Sequence, residues 1–286
     1  VKLFGNDQAA WIKTMSIWCA IALVLLVICF VRCKETVNFE STAQEQPKVP
    51  ASRAIKALLG NPYFWATLIL WTVPCVHTTI IGTDLPYYCK YVLGNDEWYY
   101  SVIYTSEIVA LIVGALLCPM LLQKFNKRNL SLAGCIVVVI AHALIMVNPM
   151  SFRWILAMTI IRSLGQAPLT SLVFGMMGDV VEYGQWKSHL RQESLIFGGG
   201  SLGFKIGTGI TSAVMTAMLE GAGFLSSVTG GAMQPTSAQQ MISSIFRIGP
   251  ILVWIVAIIV LLFYKLDKIY PSIMKELTER EARGEM

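Results

Sequence analysis

Residues 175–193 read GMMGDVVEYGQWKSHLRQE, and this stretch places five charged side chains in an otherwise strongly apolar chain. Of the 286 residues, 55% are hydrophobic and only 14% are charged, whereas a soluble domain carries about 25% charged residues. Long apolar runs precede and follow the stretch, as in integral membrane proteins. We therefore expect the charged stretch at a membrane surface, where water and lipid headgroups solvate the end of a spanning helix.

Seven apolar runs are long enough to span a bilayer, which takes roughly 20 helical residues. They lie near 11–32, 63–88, 98–122, 129–148, 153–182, 194–219 and 243–264. The chain is thus predicted to be an all-α, polytopic membrane protein with about seven transmembrane helices. In the second run, Pro74, Gly82 and Pro86 predict a kinked or broken helix, which membranes tolerate when neighbouring groups satisfy the freed backbone.

The distribution of basic residues predicts the orientation, because cytoplasmic loops are enriched in Lys and Arg. If the first run ends in the cytoplasm, 15 of the 22 basic residues fall on the cytoplasmic side, 5 fall outside and 2 fall within runs. The C-terminus is then cytoplasmic, and 175–193 contains a cytoplasmic turn. Asp179 and Glu182 fall on the last turns of a helix, where the macrodipole disfavours negative charge. A basic partner is expected, and Lys187 and Arg191 are the nearest candidates.

The long polar segment after the first run contains a short amphipathic helix. Ser52 is a suitable N-cap, and Gly60 followed by Pro62 is a stop signal. Apolar residues line one face and basic residues lie near the other, which is typical of a helix on a membrane surface. This segment separates the first run from the following six.

The sixth run has two different faces. The polar face holds Ser201, Lys205, Thr208 and Ser212, which share one side at 3.6 residues per turn. The opposite side holds Gly199, Gly203 and Gly207, a stripe that allows another helix to pack closely. Lys205 lies roughly 16 Å from the inner end of the run, too deep for its ammonium to reach the surface easily. We expect it to face a cavity, because an unpartnered charge at that depth costs several kcal/mol.

Two further charges lie inside predicted spans. Glu107 follows Tyr99 by eight residues and Arg162 follows Trp154 by eight, so each charge lies roughly 12 Å below the predicted outer surface. Equal depth and opposite sign predict a buried ion pair. The alternative is that each faces a water-filled cavity separately, where Arg162 would be available to an acidic sugar such as a hexuronide.

The sequence contains no pattern typical of catalysis. It has no nucleotide-binding glycine loop, no credible pair of nucleophile and base, and no metal-ligand spacing among its seven cysteines. These observations weigh against a membrane enzyme and against an ATP-driven pump. We expect no resident cofactor, no metal and no nucleic-acid partner.

Several stretches together resemble the glycoside–pentoside–hexuronide:cation symporter family, a branch of the major facilitator superfamily. They are GDVVEYGQWKSHLRQES, FGGGSLGFKIGTG, YYCKYVLGND, LLQKFNKRN and the pair VRCKETV and SRAIKALLGNPYF. The resemblance extends from about residue 11 to about residue 270. It implies helices six to twelve of a twelve-helix transporter, with 1–33 as the last helix of the N-terminal bundle. Segment 34–62 would be the central cytoplasmic loop, 63–266 the C-terminal six-helix bundle and 267–286 a cytoplasmic tail.

The resemblance also implies roles for individual residues. Lys205 matches the family's helix-eleven lysine at the sugar and cation cavity, and Ser201 occupies the position of a hydroxyl residue there. Thr170 stands where melibiose carriers have a tryptophan facing the sugar, so the substrate need not be a galactoside. The cytoplasmic motif between helices ten and eleven, which helps to close the inner gate, is matched by Asp179, Glu182, Tyr183, Gly184 and Arg191. Most of the family's sugar contacts and its cation-binding carboxylates lie in the N-terminal bundle.

The expected function is symport of a sugar, glycoside or hexuronide with sodium or a proton, by alternating access. Lys205, Ser201, Thr170, Thr208, Arg162 and Glu107 are the candidate cavity residues. The expected partners are the substrate, the cation, membrane lipid and the N-terminal bundle, in a bacterial inner membrane. Two alternatives stay open: a seven-helix receptor, and a lipid-carrying relative in the same superfamily.

Overall fold

Helices account for nearly all of the chain that the computed structural model describes, residues 8–33, 50–94, 98–225 and 234–283, and none of these residues lies in a β-strand. The helices are α1 Gln8–Arg32, α2 Ala51–Leu59, α3 Pro62–Tyr87, α4 Trp98–Leu122, α5 Lys127–Ile145, α6 Phe152–Ser188, α7 Glu193–Gly221, α8 Thr236–Phe263 and α9 Leu266–Ala282. The all-α prediction is confirmed. The chain divides into two compact units, Val1–Pro50 and Ala51–Met286.

The first unit contains α1, whose most apolar 18 residues have a mean hydropathy of 2.7. This helix corresponds to the first predicted run. Residues 34–49 of the predicted polar loop lie outside the described residues. The second unit begins with α2, which ends at Leu59 beside the predicted stop signal.

Six helices in the described ranges are long and apolar enough to cross a membrane: α1, α3 with the turn that follows it, α4, α5, α7 and α8. About seven transmembrane helices were predicted, and the difference is α6. This helix has 37 residues but is not apolar enough to be counted with the six. The reason is its polar centre, where Arg162, Ser163 and Gln166 are buried. Because α6 packs between α4 and α5 and also contacts α3, these polar groups lie within protein and not in lipid.

Helix α3 is continuous, so of the predicted kink or break in the second span the break is wrong, and a kink stays a prediction. Pro74 and Pro86 both lie inside the helix. A proline removes only one backbone donor, and packing against α6, α7 and α8 maintains the rest of the helix. The irregularity comes after Pro86, as a π-helical turn over Tyr88–Val92. The hydroxyl of Tyr88 donates to the carbonyl of Pro149, at 2.6 Å, and so ties this turn to the loop between α5 and α6.

Glycines set the closest helix contacts. A Cβ added to Gly203 would lie 2.2 Å from Cδ1 of Leu68, and one added to Gly207 would lie 2.5 Å from Cγ2 of Thr72. Both neighbours belong to α3, which confirms that the glycine stripe of α7 is a packing face. A second such contact was not predicted from the sequence: a Cβ on Gly134 of α5 would lie 2.3 Å from the carbonyl oxygen of Gly165 in α6.

The predicted tail is a helix that packs against α6. Helix α9 buries Leu266, Ile273 and Leu277, and Glu276 accepts a hydrogen bond from the indole of Trp186 at 2.7 Å. The guanidinium of Arg280 donates to the carbonyl of Trp186 at 3.1 Å. Helix α9 therefore covers the last turns of α6, where the charged stretch lies.

Candidate functional site

The two charges predicted inside the spans meet in the interior of the bundle. Nη2 of Arg162 lies 2.8 Å from Oε2 of Glu107, and Nη1 lies 3.4 Å from Oε1. Arg162 is 0% exposed and Glu107 is 8% exposed. The predicted ion pair between α4 and α6 is confirmed, and the separate-cavity alternative is not what this conformation shows.

The pair continues into a network that the sequence analysis did not predict. Nη1 of Arg162 also lies 2.7 Å from Nε2 of His77, and the indole of Trp254 donates to Nδ1 of the same ring at 2.9 Å. Arginine and tryptophan only donate, and a neutral imidazole accepts at one nitrogen only. His77 can therefore satisfy one of these two donors at a time. The ring centroid of His142 lies 5.5 Å from that of His77.

The polar face of α7 is open within the described residues. Lys205 is exposed, and the structure gives its ammonium no ionic or hydrogen-bonding partner among them. Ser201 and Thr208 are half-buried, and the hydroxyl of Thr208 donates to the carbonyl of Lys205 at 3.1 Å. Since the glycine stripe of the same helix packs on α3, the lysine side of α7 points away from that contact.

An aromatic cluster joins this helix to its neighbours. The ring of Trp71 in α3 stacks on Phe204 of α7 at 5.8 Å and meets Phe174 of α6 edge-on at 5.0 Å. Thr170 lies one turn before Phe174, half-buried, with its hydroxyl donating to the carbonyl of Gln166 at 3.1 Å. We call Trp71, Thr170, Phe174, Ser201, Phe204, Lys205 and Thr208 the candidate binding face. Glu107 and Arg162 belong to the interior network instead.

The charged stretch has partners other than those expected. Asp179 accepts from the ammonium of Lys127, the first residue of α5, at 2.7 Å from each carboxylate oxygen. The carboxylate of Glu182 accepts a hydrogen bond from the hydroxyl of Tyr270 in α9. The expectation that Lys187 or Arg191 pairs with these acids is wrong. The reason is that α6 continues as a helix to Ser188, and both acids lie on turns that contact α5 and α9.

The other residues of the predicted gate have lesser contacts. Arg191 lies 3.5 Å from Glu193 and donates to Gln185 at 3.1 Å, both at the surface. The ring of Tyr183 meets Tyr63 edge-on at 4.8 Å. Gly184 faces Asn61, whose Nδ2 would lie 3.6 Å from an added Cβ.

Helix α9 contributes electrostatically to this end of the bundle. Asp267 accepts from the backbone N–H of Arg128 at 2.8 Å. Burial and the hydrogen bond to Glu182 raise the pKa of Tyr270 well above its usual range. Tyr270 therefore stays a hydrogen-bond donor to that carboxylate at any physiological pH. Helix α9 thus connects the beginning of α5 to the end of α6.

Comparison with known proteins agrees with this architecture. A family model described as MFS/sugar transport protein matches residues 2–268. The chain belongs to this family. Family membership places it among multi-pass membrane transport proteins and not among enzymes, and it confirms the resemblance to the symporter branch of the major facilitator superfamily.

Individual proteins that resemble this chain share about a quarter of their aligned residues with it. The isoprimeverose transporter of Lactiplantibacillus pentosus is 27% identical over 99% of this chain and 58% of its own length. The putative glycoside/cation symporter YagG of Escherichia coli is 26% identical, over 98% and 60% respectively. A putative sulfoquinovose importer of Salmonella typhimurium is 24% identical over the same shares. The chain spans about three-fifths of the length of these relatives.

Proposed function

We propose that this chain is the C-terminal part of a cation-coupled symporter for a sugar, glycoside or hexuronide, corresponding to helices six to twelve of a twelve-helix protein. The observation that carries the proposal is the exposed Lys205 in the middle of a spanning helix. It lies twelve residues from Glu193, or roughly 18 Å along α7. A charge at that depth needs water or a partner, and the packed glycine side of α7 leaves the lysine side to face a cavity.

The chemistry of the candidate binding face suits a sugar. Hydroxyls at Ser201, Thr208 and Thr170 can exchange hydrogen bonds with substrate hydroxyls. The rings of Trp71 and Phe174 offer flat apolar surfaces on which the carbon–hydrogen side of a sugar ring can lie. The ammonium of Lys205 adds three donors, which also suit a carboxylate on an acidic sugar. Relatives named for isoprimeverose, glycosides and sulfoquinovose support a substrate of this class.

Alternating access follows from where this face lies. The second bundle of the complete transporter would cover the exposed side of α7 and close the cavity, and rocking of the two bundles would open it to each side in turn. The cation, sodium or a proton, would bind chiefly in the other bundle. The excess of basic residues on one side supports a cell-membrane protein whose C-terminus is cytoplasmic.

Lipid transport through the same face is less well supported. The structure has an apolar cavity of about 390 Å³ between α3, α7 and α8, lined by residues such as Val76, Ile210 and Leu252. On the helical wheel of α7, Ile210 lies nearer the glycine side than the side of Lys205. The apolar lining is therefore separate from the proposed sugar site.

Uptake by the purified complete protein in sealed vesicles tests the proposal. A panel of labelled pentosides, glycosides and hexuronides is offered under an inward sodium gradient, an inward proton gradient or no gradient. We expect one substrate class to accumulate above its external concentration under one of the gradients, and accumulation to collapse with the matching ionophore. Equilibration at the same rate with and without either gradient would contradict symport, and no uptake of any carbohydrate would contradict the substrate class.

A further inference from the structure

Asp84 is a buried carboxyl group that the network around Arg162 does not include. It lies in α3 one turn before Tyr88, and it is 0% exposed. Neither of its oxygens has a hydrogen-bonding partner among the described residues. Since buried polar groups are nearly always paired, such a group requires an explanation.

Several of the side chains next to Asp84 along α3 are apolar. The neighbouring residues Ile80, Ile81 and Leu85 belong to a hydrophobic cluster with Tyr88 and Phe246. Charged and titratable groups in the outer parts of the surrounding elements include His77, Tyr87, Tyr88, Cys89, Lys90 and Tyr91 on its own segment, Tyr99, Tyr100, Tyr104 and Glu107 on α4, His142 on α5, Arg153 and Arg162 on α6, Glu220 on α7 and Arg247 on α8. Arg162 is paired with Glu107. The guanidinium of Arg247 donates to the carbonyl of Ser243 at 2.9 Å, and no ion pair joins it to Asp84 in the described ranges.

An ionised carboxylate cannot remain in such a place without a partner. Burying an isolated charge costs far more than protonating it, so the group takes up a proton instead. We propose that Asp84 is a proton-binding site of this bundle, with a neutral carboxyl in the conformation described here. A sodium ion fits less well, because hard cations need several oxygen ligands and no polar side chain of the described residues is hydrogen-bonded to either carboxylate oxygen of Asp84.

The position of the site gives its proton a short route to water. Tyr88 is tied to the loop between α5 and α6 through Pro149, and Asp84 lies only about 6 Å along the helix from Tyr88. On the other side of the same helix turn, Gly82 and Thr83 are exposed, and an added Cβ on Gly82 would meet nothing within 4 Å. Opening of the contact between Tyr88 and that loop would connect the carboxyl with water. The proton is therefore exchangeable when this end of the bundle opens.

Infrared spectroscopy of the complete protein in lipid tests the proposal without substrate or gradient, so its outcome does not depend on whether the protein is a symporter. An undissociated carboxylic acid has a carbonyl stretch that is separate from the carboxylate and amide bands. We expect the protein at neutral pH to show such a band, to lose it reversibly at high pH, and to lack it in Asp84→Asn. The Glu220→Gln variant is the control, because that carboxylate is exposed at the end of α7 and its removal leaves the band in place.

Three results would overturn the assignment. An acid band that is unchanged in Asp84→Asn would show that Asp84 is ionised. A band that persists at every pH would show that the proton does not exchange. Loss of the band on adding sodium at constant pH would assign the site to sodium. If Asp84→Asn does not fold, Asp84→Glu serves instead, and we expect its acid band to be shifted in frequency but still titratable.

Discussion

Glu107 and Arg162 form a salt bridge of 2.8 Å inside the membrane-spanning bundle, joining α4 to α6, and the guanidinium is 0% exposed. Such a pair repays the cost of removing two charges from water only when both partners are present. It is therefore a sensitive point for the stability of this bundle.

Removing one partner should cost more than removing both. Glu107→Gln and Arg162→Gln should each destabilise the protein in detergent by about 3–5 kcal/mol, because each leaves a buried charge unpaired, whereas the double variant should recover much of the loss. Thermal unfolding of the three variants measures the difference. Arg153→Gln is the control, since this arginine is exposed near the start of the same helix. Losses that simply add would mean that the two residues do not interact.

The ion pair between Lys127 and Asp179 should hold the inner end of the bundle closed. Asp179→Asn should shift the protein toward an inward-open state by about 1–3 kcal/mol, because the carboxylate is buried at the junction of α5 and α6. A single cysteine at Gly178, where nothing lies within 4 Å of an added Cβ, should then react faster with a reagent added from the cytoplasmic side.

Exchanging the two charges tests whether the pair itself closes the inner end, or whether these residues only set the orientation of the chain in the membrane. Lys127→Asp combined with Asp179→Lys should restore slow labelling, whereas Lys127→Asp alone should not. Arg191→Gln should leave labelling unchanged, because the only ion pair of Arg191 in the described residues is with the exposed Glu193. Faster labelling in Arg191→Gln than in Asp179→Asn would contradict this assignment and favour Arg191 as the basic partner of the acidic residues, as expected from the sequence.

The contact between Gly134 and Gly165 should not tolerate a methyl group. An added Cβ at Gly134 would lie 2.3 Å from a backbone oxygen, so α5 and α6 must separate, at about 1–3 kcal/mol. We expect Gly134→Ala to lower the unfolding temperature in detergent. Gly209→Ala is the matched control, because its Cβ would meet nothing within 4 Å. Equal stability of the two variants would mean that these helices are not closely packed.

Docking of α9 should weaken in acid. The hydrogen bond from Trp186, followed by that from Arg280, lowers the pKa of Glu276 below its ordinary value of 4.5. The ionised carboxylate is thus the form that docking stabilises. Its contribution is complete above pH 4.5 and is lost as the pH falls through the lowered pKa. Limited proteolysis should cut α9 faster below that pH.

A neutral carboxamide at this position should abolish the pH effect. Glu276→Gln should be cut at a rate that no longer changes over the same acidic range, whereas Glu279→Gln, which alters an exposed neighbour, should behave like the unmodified protein. A pH dependence that survives Glu276→Gln would assign the effect to another group.

The sequence predicts the main helices well where a long apolar run ends at charged or aromatic residues. The predicted run 98–122 coincides with α4, and the two faces of α7 follow from the 3.6-residue period. The pairing of Glu107 with Arg162 was predictable because depth can be read along each helix. These properties depend on neighbouring residues along the chain, or on depth in the membrane alone.

Features that depend on how helices pack together were not predictable. Lys127 and Asp179 are 52 residues apart, and only the packing of α5 against α6 brings them together. The cluster around Trp71 needs three helices in their final places. Helix α9 could have been found, because Leu266, Tyr270, Ile273 and Leu277 recur at helical spacing. Its many charges made it resemble a solvated tail.

The central claim is that Lys205 faces a water-filled cavity and takes part in coupled transport. Gradient-driven accumulation of substrate by the complete protein in vesicles, compared between Lys205→Ala and Lys268→Ala, tests it most directly. Both variants remove one exposed lysine, but Lys268 lies in α9, outside the spans. The account predicts that Lys205→Ala inserts into the membrane and loses accumulation, while Lys268→Ala accumulates normally. Undiminished accumulation by Lys205→Ala would contradict it.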